Sequence, residues 1–237
     1  MFSMRCDEEK MRVLISTGGS AELTPAFMEA LRSWKPELVI AADSGLRHLV
    51  AAGIRPDILL GDMDSVDPAL LASAKKQGIT PLLYPVQKDE SDTELAVDEA
   101  LRLAGADAEI RLIGGFGTRP DHSFGNLNLL HRHASQAEFW DGKYLAKAVN
   151  VKGGDTRCSF ELRRPDWFDT SAAAYVSLLP FGTPVKGITL EGLAYPTYRA
   201  DWDRDAVIGL SNQFMSDDRP ARVTYDSGSL LVIISQD

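Results

Sequence analysis

Apolar and polar positions alternate in blocks along the first part of the chain. The runs RVLIST, LVIAAD, DILLGD and TPLLYPV are separated by amphipathic stretches that reach Trp34, Gly53 and Gly78. Short apolar runs rich in β-branched residues, spaced by stretches of helical period, are the pattern of βαβ units. They predict a parallel sheet with helices on both faces. The rhythm continues through a predicted helix from about Ser91 to Ala104, the strand EIRLIGG, and a helix near Ser123 to His133. Ser91 and Glu94 stand at capping-box spacing, with Leu95, Ala96, Ala100 and Leu103 on one face of the helix they open.

Beyond about Asn150 the period changes. VSLLPFG, VKGITLEG, AVIGLS and RVTYDSGSLLVIIS are short β-rich runs broken by Gly, Pro, Asn and Asp, with no helical stretch between them. Such spacing predicts an antiparallel sandwich or barrel. The expected organisation is an α/β N-terminal domain with a mostly parallel sheet, residues 1–142, followed by a smaller all-β sandwich domain, residues 143–237. RRPDWFDTS reads as a loop inside the second domain.

Composition changes this picture only at its edges. A chain of 237 residues, 44% hydrophobic and 25% charged, buries a sizeable core and falls outside the collagen-like, disordered and membrane classes. Its formal net charge of −9 repels a phosphate backbone and argues against nucleic acid as a partner. Cys6 and Cys158 offer neither a disulfide framework nor metal-ligand spacing, and MFSMRCDEEK holds no apolar run long enough for a secretory signal. A soluble, cytoplasmic protein with no membrane partner is expected.

Ligands of an open α/β sheet bind outside the carboxyl ends of its strands. There the sequence reads STGGS, AADSG, GDMDS, QKDESD and GGFGTRPDH. Asp62 and Asp64, two apart on extended chain, face the same side, where their repulsion is relieved by a divalent cation. A lone D-x-D is equally consistent with one helix cap and one solvated carboxylate. Asp89 and Asp92 follow the next strand and extend the acidic set, although Asp92 alone also suits a helix N-terminus. Gly114, Gly115 and Gly117 precede Arg119 and a predicted helix, a combination that suits phosphate oxygens, with a plain tight turn as the alternative. Neither G-x-x-x-x-G-K-[ST] nor a complete G-x-G-x-x-G is present. Lys88 is a second candidate cation. His122 stands at a strand end, His131 and His133 diverge on a helix, and His48 reads as structural or surface.

In order, AADSG, PDILLGDMDS, QKDESDTELAVDEAL, IGGFGTRPDHSFGNLNLL, GLAYP, GLSNQF and DSGSLLVI resemble the thiamine pyrophosphokinase family over nearly the whole chain. The specific blocks are GD-x-DS, KD-x-[ST]D and G-x-R-x-DH-x-x-x-N. The resemblance implies transfer of pyrophosphate from ATP to the hydroxyl of thiamine with Mg²⁺, giving thiamine diphosphate and AMP, in a homodimer with sites at the subunit interface. By motif it implies Asp62, Asp64 and Asp92 as metal ligands. Arg119 and Asp121 are implied at the phosphates, and Asp43, Gly45, Ser65, Lys88, Asp89, His122 and Asn126 at the nucleotide. Ser211 and Asn212 match the thiamine-contacting pair, and Tyr195 falls where the family commonly has tryptophan. Three other readings compete. A haloacid-dehalogenase-type phosphatase needs its D-x-D on an early strand with a threonine after it, whereas Ser65 and Val66 follow here. A non-catalytic thiamine or nucleotide sensor would have lost the acidic cluster. A pyrophosphokinase for another alcohol, such as a pterin, keeps the chemistry and changes the acceptor.

Overall fold

Two apolar strands, β1 (Arg12–Ser16) and β2 (Leu38–Ala42), form the buried centre of the molecule; every residue of β2 is buried. Strands shielded on both faces have no polar alternation, which is why their runs are continuous. The computed structural model describes residues 10–85, 87, 89–117, 119–151, 157–216 and 219–237. After β1 come α1 (Pro25–Ser33), then β2, a single 3₁₀ turn (Asp43–Gly45), α2 (Leu46–Ala52), β3 (Ile58–Gly61) and α3 (Pro68–Lys76). Next follow β4 (Leu82–Leu83), α4 (Asp92–Ala104), β5 (Glu109–Ile113), α5 (Pro120–Arg132) and β6 (Ala137–Trp140). The second half holds β7 (Tyr144–Asn150), β8 (Cys158–Leu162), β9 (Ala174–Pro180), β10 (Val185–Glu191), β11 (Thr197–Trp202), β12 (Asn212–Gln213), β13 (Ala221–Tyr225) and β14 (Ser229–Gln236).

The N-terminal half is an α/β unit with a parallel sheet, and the C-terminal half is all β. Strands β6-β5-β1-β2-β3-β4 pair in parallel in that order. At the β6–β7 turn the direction reverses, and β12-β9-β14-β7 continue the same sheet antiparallel, to ten strands in all. A separate antiparallel sheet, β11-β10-β13-β8, covers that antiparallel part. Val176, Leu178, Val232 and Ile234 from one sheet and Ile188, Leu190, Val223 and Tyr225 from the other share one buried cluster, so the all-β half is a sandwich. One layer of this sandwich is an extension of the first sheet. Hydrophobic alternation reports which face of a strand is buried, not which strand lies beside it.

Local signals account for the helix ends. Ser91 Oγ accepts the Glu94 N–H at 3.2 Å and starts α4 where the capping pattern predicts. Helix α5 starts at Pro120, earlier than the predicted Ser123, because proline fits the first helical position. Asp121 therefore lies in its first turn. The predicted strand TPLLYPV shrinks to Leu82–Leu83 at the exposed edge of the sheet.

Aromatic stacking joins the halves. The Arg111 guanidinium lies 4.0 Å from the Trp34 ring centroid and 3.5 Å from that of Trp140. Burial lowers the Arg111 pKa to about 10. Trp167, from the RRPDWFDTS loop, stacks on Trp140 at 4.3 Å, and its indole N–H donates to the Asp141 carbonyl at 2.8 Å. Asp141, buried in the turn where the sheet reverses, accepts the N–H groups of Glu22 at 2.8 Å and Lys143 at 3.0 Å. Among the described residues no helix is long and apolar enough to cross a membrane.

Candidate active site

Successive parallel strands end at the same edge, and the turns after β1, β2, β3 and β5 meet there. After β2 the backbone enters the left-handed region at Asp43, with φ 47°, a conformation uncommon for a residue with a side chain. A Cβ on Gly45 would lie 2.2 Å from the Ser16 carbonyl oxygen, so only glycine lets the AADSG turn close on β1. The Ser16 hydroxyl donates to the Gly45 carbonyl at 2.7 Å and fastens that contact.

Asp43, Asp62 and Asp64 each offer one carboxylate oxygen, all within 4.8 Å of one another. Asp43 is 9% exposed, and its Oδ1 is buried without a hydrogen-bond partner. Burial raises the Asp43 pKa, and the charges of Asp92, Asp62 and Asp64 raise it further. Asp62 Oδ1 accepts the Asp64 N–H at 3.0 Å, and Asp64 Oδ1 accepts the Ser65 hydroxyl at 2.8 Å. The triad of close carboxylates thus includes Asp43, which the motif assigns to the nucleotide. Asp92 acts on it from the first turn of α4. Asp43, Asp62 and Asp64 thus present the donor set of a hard divalent cation, and Asp92 adds negative charge beside this acidic corner.

A cleft of about 380 Å³ opens beside this corner. Asp43, Asp64, Ser65 and Asp92 line one part of it, and Gly114–Gly117 with Arg119, His122 and Asn126 line another. Asn126 is buried in α5 and donates to the Gly115 carbonyl at 2.5 Å, which holds the glycine loop against the helix. Arg119, at the N-cap of α5, makes no side-chain capping bond, Pro120 brings no N–H to the first turn, and the Ser123 N–H donates to the Arg119 carbonyl at 3.1 Å. Arg119 is exposed and pairs with Asp121 at 2.6 Å; that pair raises the Arg119 pKa and lowers the Asp121 pKa.

Other predicted residues lie away from the lining. Gly45 sits behind the cleft, Asp121 stands beside it through Arg119, and Asp89 is exposed outside it. Lys88 lies outside the described residues. Tyr195, Ser211 and Asn212 come together elsewhere. The Asn212 side chain accepts the Tyr195 N–H at 2.9 Å and donates to the Tyr195 carbonyl at 2.8 Å, while Tyr195 itself is 69% exposed. Thr17 and Ser44 also line the cleft but carry no sequence prediction. The signal for both was their place in STGGS and AADSG, directly after apolar strands.

The thiamin pyrophosphokinase catalytic domain model matches residues 30–140, and the thiamin pyrophosphokinase vitamin B1 binding domain model matches residues 167–230. The chain belongs to the thiamin pyrophosphokinase family. Thiamine pyrophosphokinase of Bacillus subtilis (strain 168) is 26% identical over 229 residues, covering 94% of this chain and 98% of its own. The crystal structure of thiamine pyrophosphokinase from Bacillus subtilis superposes with a TM-score of 0.78 at 25% identity, over 95% of this chain and 99% of that one. That of thiamin pyrophosphokinase from Geobacillus thermodenitrificans gives 0.77 at 27%, over 96% and 98%. Within this family frame, the catalytic-domain match encloses the acidic corner and α5, and the vitamin B1 match encloses Tyr195, Ser211 and Asn212.

Proposed function

We propose that this chain, a thiamine diphosphokinase by family, moves the diphosphoryl group of ATP to the hydroxyl of thiamine, with Mg²⁺, and releases AMP. The observation that carries the reading is an acidic corner beside the first turn of α5 and a glycine loop in one cleft. The close carboxylates of Asp43, Asp62 and Asp64, with an unpartnered buried oxygen on Asp43, fit a divalent cation, and Asp92 adds to the charge that would hold it. When bound, Mg²⁺ would neutralise charge on the triphosphate and on the oxygens between which the diphosphoryl group passes. The chain's own residues do the positioning. The Gly114–Gly117 loop and the start of α5 receive phosphate oxygens, Ser65 and His122 contact the nucleotide, and Arg119 exchanges Asp121 for a bidentate phosphate contact.

The thiamine end is assigned to Tyr195, Ser211 and Asn212. An exposed tyrosine ring held at its backbone by Asn212 offers a face to the cationic thiazolium. In one chain these residues are not part of the cleft lining. Tyr198, Val207 and Met215 nearby in sequence are 82%, 78% and 73% exposed, an apolar surface that a second copy would cover. This supports a homodimer in which one subunit brings its thiamine residues to the other's nucleotide cleft.

Incubation with ATP, Mg²⁺ and thiamine tests the reaction. Attack on the β-phosphorus gives AMP and thiamine diphosphate in equal amounts. ADP as the nucleotide product overturns the assignment, and AMP formed only with a different alcohol replaces thiamine as the acceptor.

A further inference from the structure

A triphosphate can lie against a wall of peptide groups only where carbonyl oxygens point away from it. Around this cleft, the carbonyls of Gly18, Gly19, Ser44, Gly45, Gly114 and Gly115 are all taken by side-chain donors. Ser16, Thr17 and Asn126 hold the last three, from within the strand ends and α5. The carbonyls of Gly18 and Gly19 are instead taken by two consecutive residues of α2. Arg47 Nη2 donates to Gly18 at 2.6 Å and Gly19 at 2.7 Å, and Arg47 Nη1 to Ser44 at 3.1 Å. His48 Nε2 lies 2.8 Å from the same Gly19 carbonyl. Burial pushes the imidazole pKa below its usual range, so the ring is neutral near pH 7 and donates from Nε2.

The grip carries to the opposite loop. The Gly19 N–H donates to the Gly114 carbonyl at 2.9 Å, and the Ser20 N–H to that of Phe116 at 2.7 Å. A single guanidinium therefore ties the turn after β1 to the turn after β2, and through Gly19 and Ser20 to the glycine loop after β5. Neither Arg47 nor His48 lines the cleft itself.

We infer that Arg47 and His48 are positioning residues for the phosphate wall: they hold the Gly18 and Gly19 carbonyls on the side away from the cleft, keeping acceptor oxygens out of the path of the triphosphate. The inference rests on the nucleotide reading of the cleft. Arginine is required because its planar fork serves three carbonyls at once, which a lysine ammonium on a flexible stem does not reproduce. Freed carbonyls would repel bound phosphate without altering the reacting groups, so the effect falls on nucleotide binding.

The test compares full-length wild type with Arg47→Ala, His48→Leu and His48→Gln. It measures KM and kcat for turnover, and the Kd of a non-hydrolysable ATP analogue with Mg²⁺ by calorimetry. Arg47→Ala is expected to raise the KM for ATP about tenfold with kcat changed by less than about threefold. Guanidinium at roughly 10 mM should bring that KM back toward wild type. His48→Leu should weaken nucleotide binding, and His48→Gln, whose amide offers an N–H at the same place, should restore it. An Arg47→Ala protein with an unchanged KM for ATP, or one raised beyond recovery by guanidinium, overturns the inference. If Arg47→Ala does not fold, equal nucleotide Kd values for His48→Leu and His48→Gln overturn it. Absence of analogue binding to the wild type would instead defeat the nucleotide reading, so the two failures are distinguishable.

Discussion

Burial, and after it the charges of Asp92, Asp62 and Asp64, disfavour the ionised form of Asp43, which makes the apo corner a cost to folding. Replacing Asp62, Asp64 or Asp92 with asparagine should lower kcat by about 10²-fold or more, because charge on the transferring group is no longer neutralised. The melting temperature of the metal-free protein should stay level or rise. Steady-state kinetics beside calorimetry check both, and normal turnover of Asp64→Asn would remove that residue from the mechanism. His48 makes a separate prediction in pH. Its folded pKa lies below the ordinary 6.5, so the unfolded chain binds more protons as pH falls through that value. Its contribution to stability is complete above the unfolded pKa and is lost as pH falls toward the folded one. Asp43 and Asp141, raised by burial, act in the opposite sense, which makes the comparison with a variant necessary. Thermal melts between about pH 7 and pH 5 should fall more steeply for wild type than for His48→Gln. Parallel slopes would show that His48 titrates alike in both states.

At the scale of elements, the turns that build the cleft are packed more tightly than those that merely end helices. Gly53 closes α2 with φ 68°, and a Cβ there would meet nothing within 4 Å. Gly114 has φ 73°, but its Cβ would lie 2.4 Å from the Thr17 carbonyl oxygen. Gly53→Ala should therefore cost only the left-handed backbone penalty, about 1 kcal/mol. Gly114→Ala adds a backbone clash between two cleft loops and should cost at least roughly twice that, with loss of nucleotide affinity as well. Denaturant titrations of the two variants check the order, and equal losses would show that the loop after β5 relaxes freely. The start of α5 belongs to the same scale, since Pro120 fits the first helical position without an N–H to satisfy and Asn126 ties the helix to the glycine loop.

Across the whole molecule, one sheet runs through both halves, and Trp140, Trp167 and Arg111 fasten the seam. Trp167 is 8% exposed and also touches Phe27 at 5.6 Å between ring centroids. Trp167→Ala should lower stability by about 3–5 kcal/mol through the cavity and the lost bond to Asp141. Melting without that loss would mean the loop repacks. The proposed homodimer is tested by sedimentation, which should report twice the 25.9 kDa of one chain. In that assembly Tyr195→Ala should raise the KM for thiamine about tenfold and leave the KM for ATP nearly unchanged. A fully active monomer would rule out a site shared between subunits.

The order of α/β elements and the change to short strands after Asn150 were legible because they rest on period and capping, which are local. Ser91 marked the start of α4, whereas α5, expected near Ser123, begins three residues earlier, at Pro120. The acidic residues were legible for a related reason: Asp62, Asp64 and Asp92 follow apolar strands, and every parallel strand of an α/β sheet ends at one edge. Spacing along the chain does not report distance across it. It did not reveal that Asp43 joins Asp62 and Asp64 in one close triad, because that requires β2 and β3 to be neighbours and a left-handed turn at Asp43. His48 read as a structural or surface residue on an amphipathic helix, and only the approach of α2 to the turn after β1 puts its ring on the Gly19 carbonyl. Nor does alternation name a strand's partner, so the continuation of the parallel sheet into β7, β14, β9 and β12 was decided by the turn at Asp141 and the aromatic packing around it. Local patterning determined what each segment is and which face it buries; hydrogen bonding and close packing between distant segments decided which side chains meet.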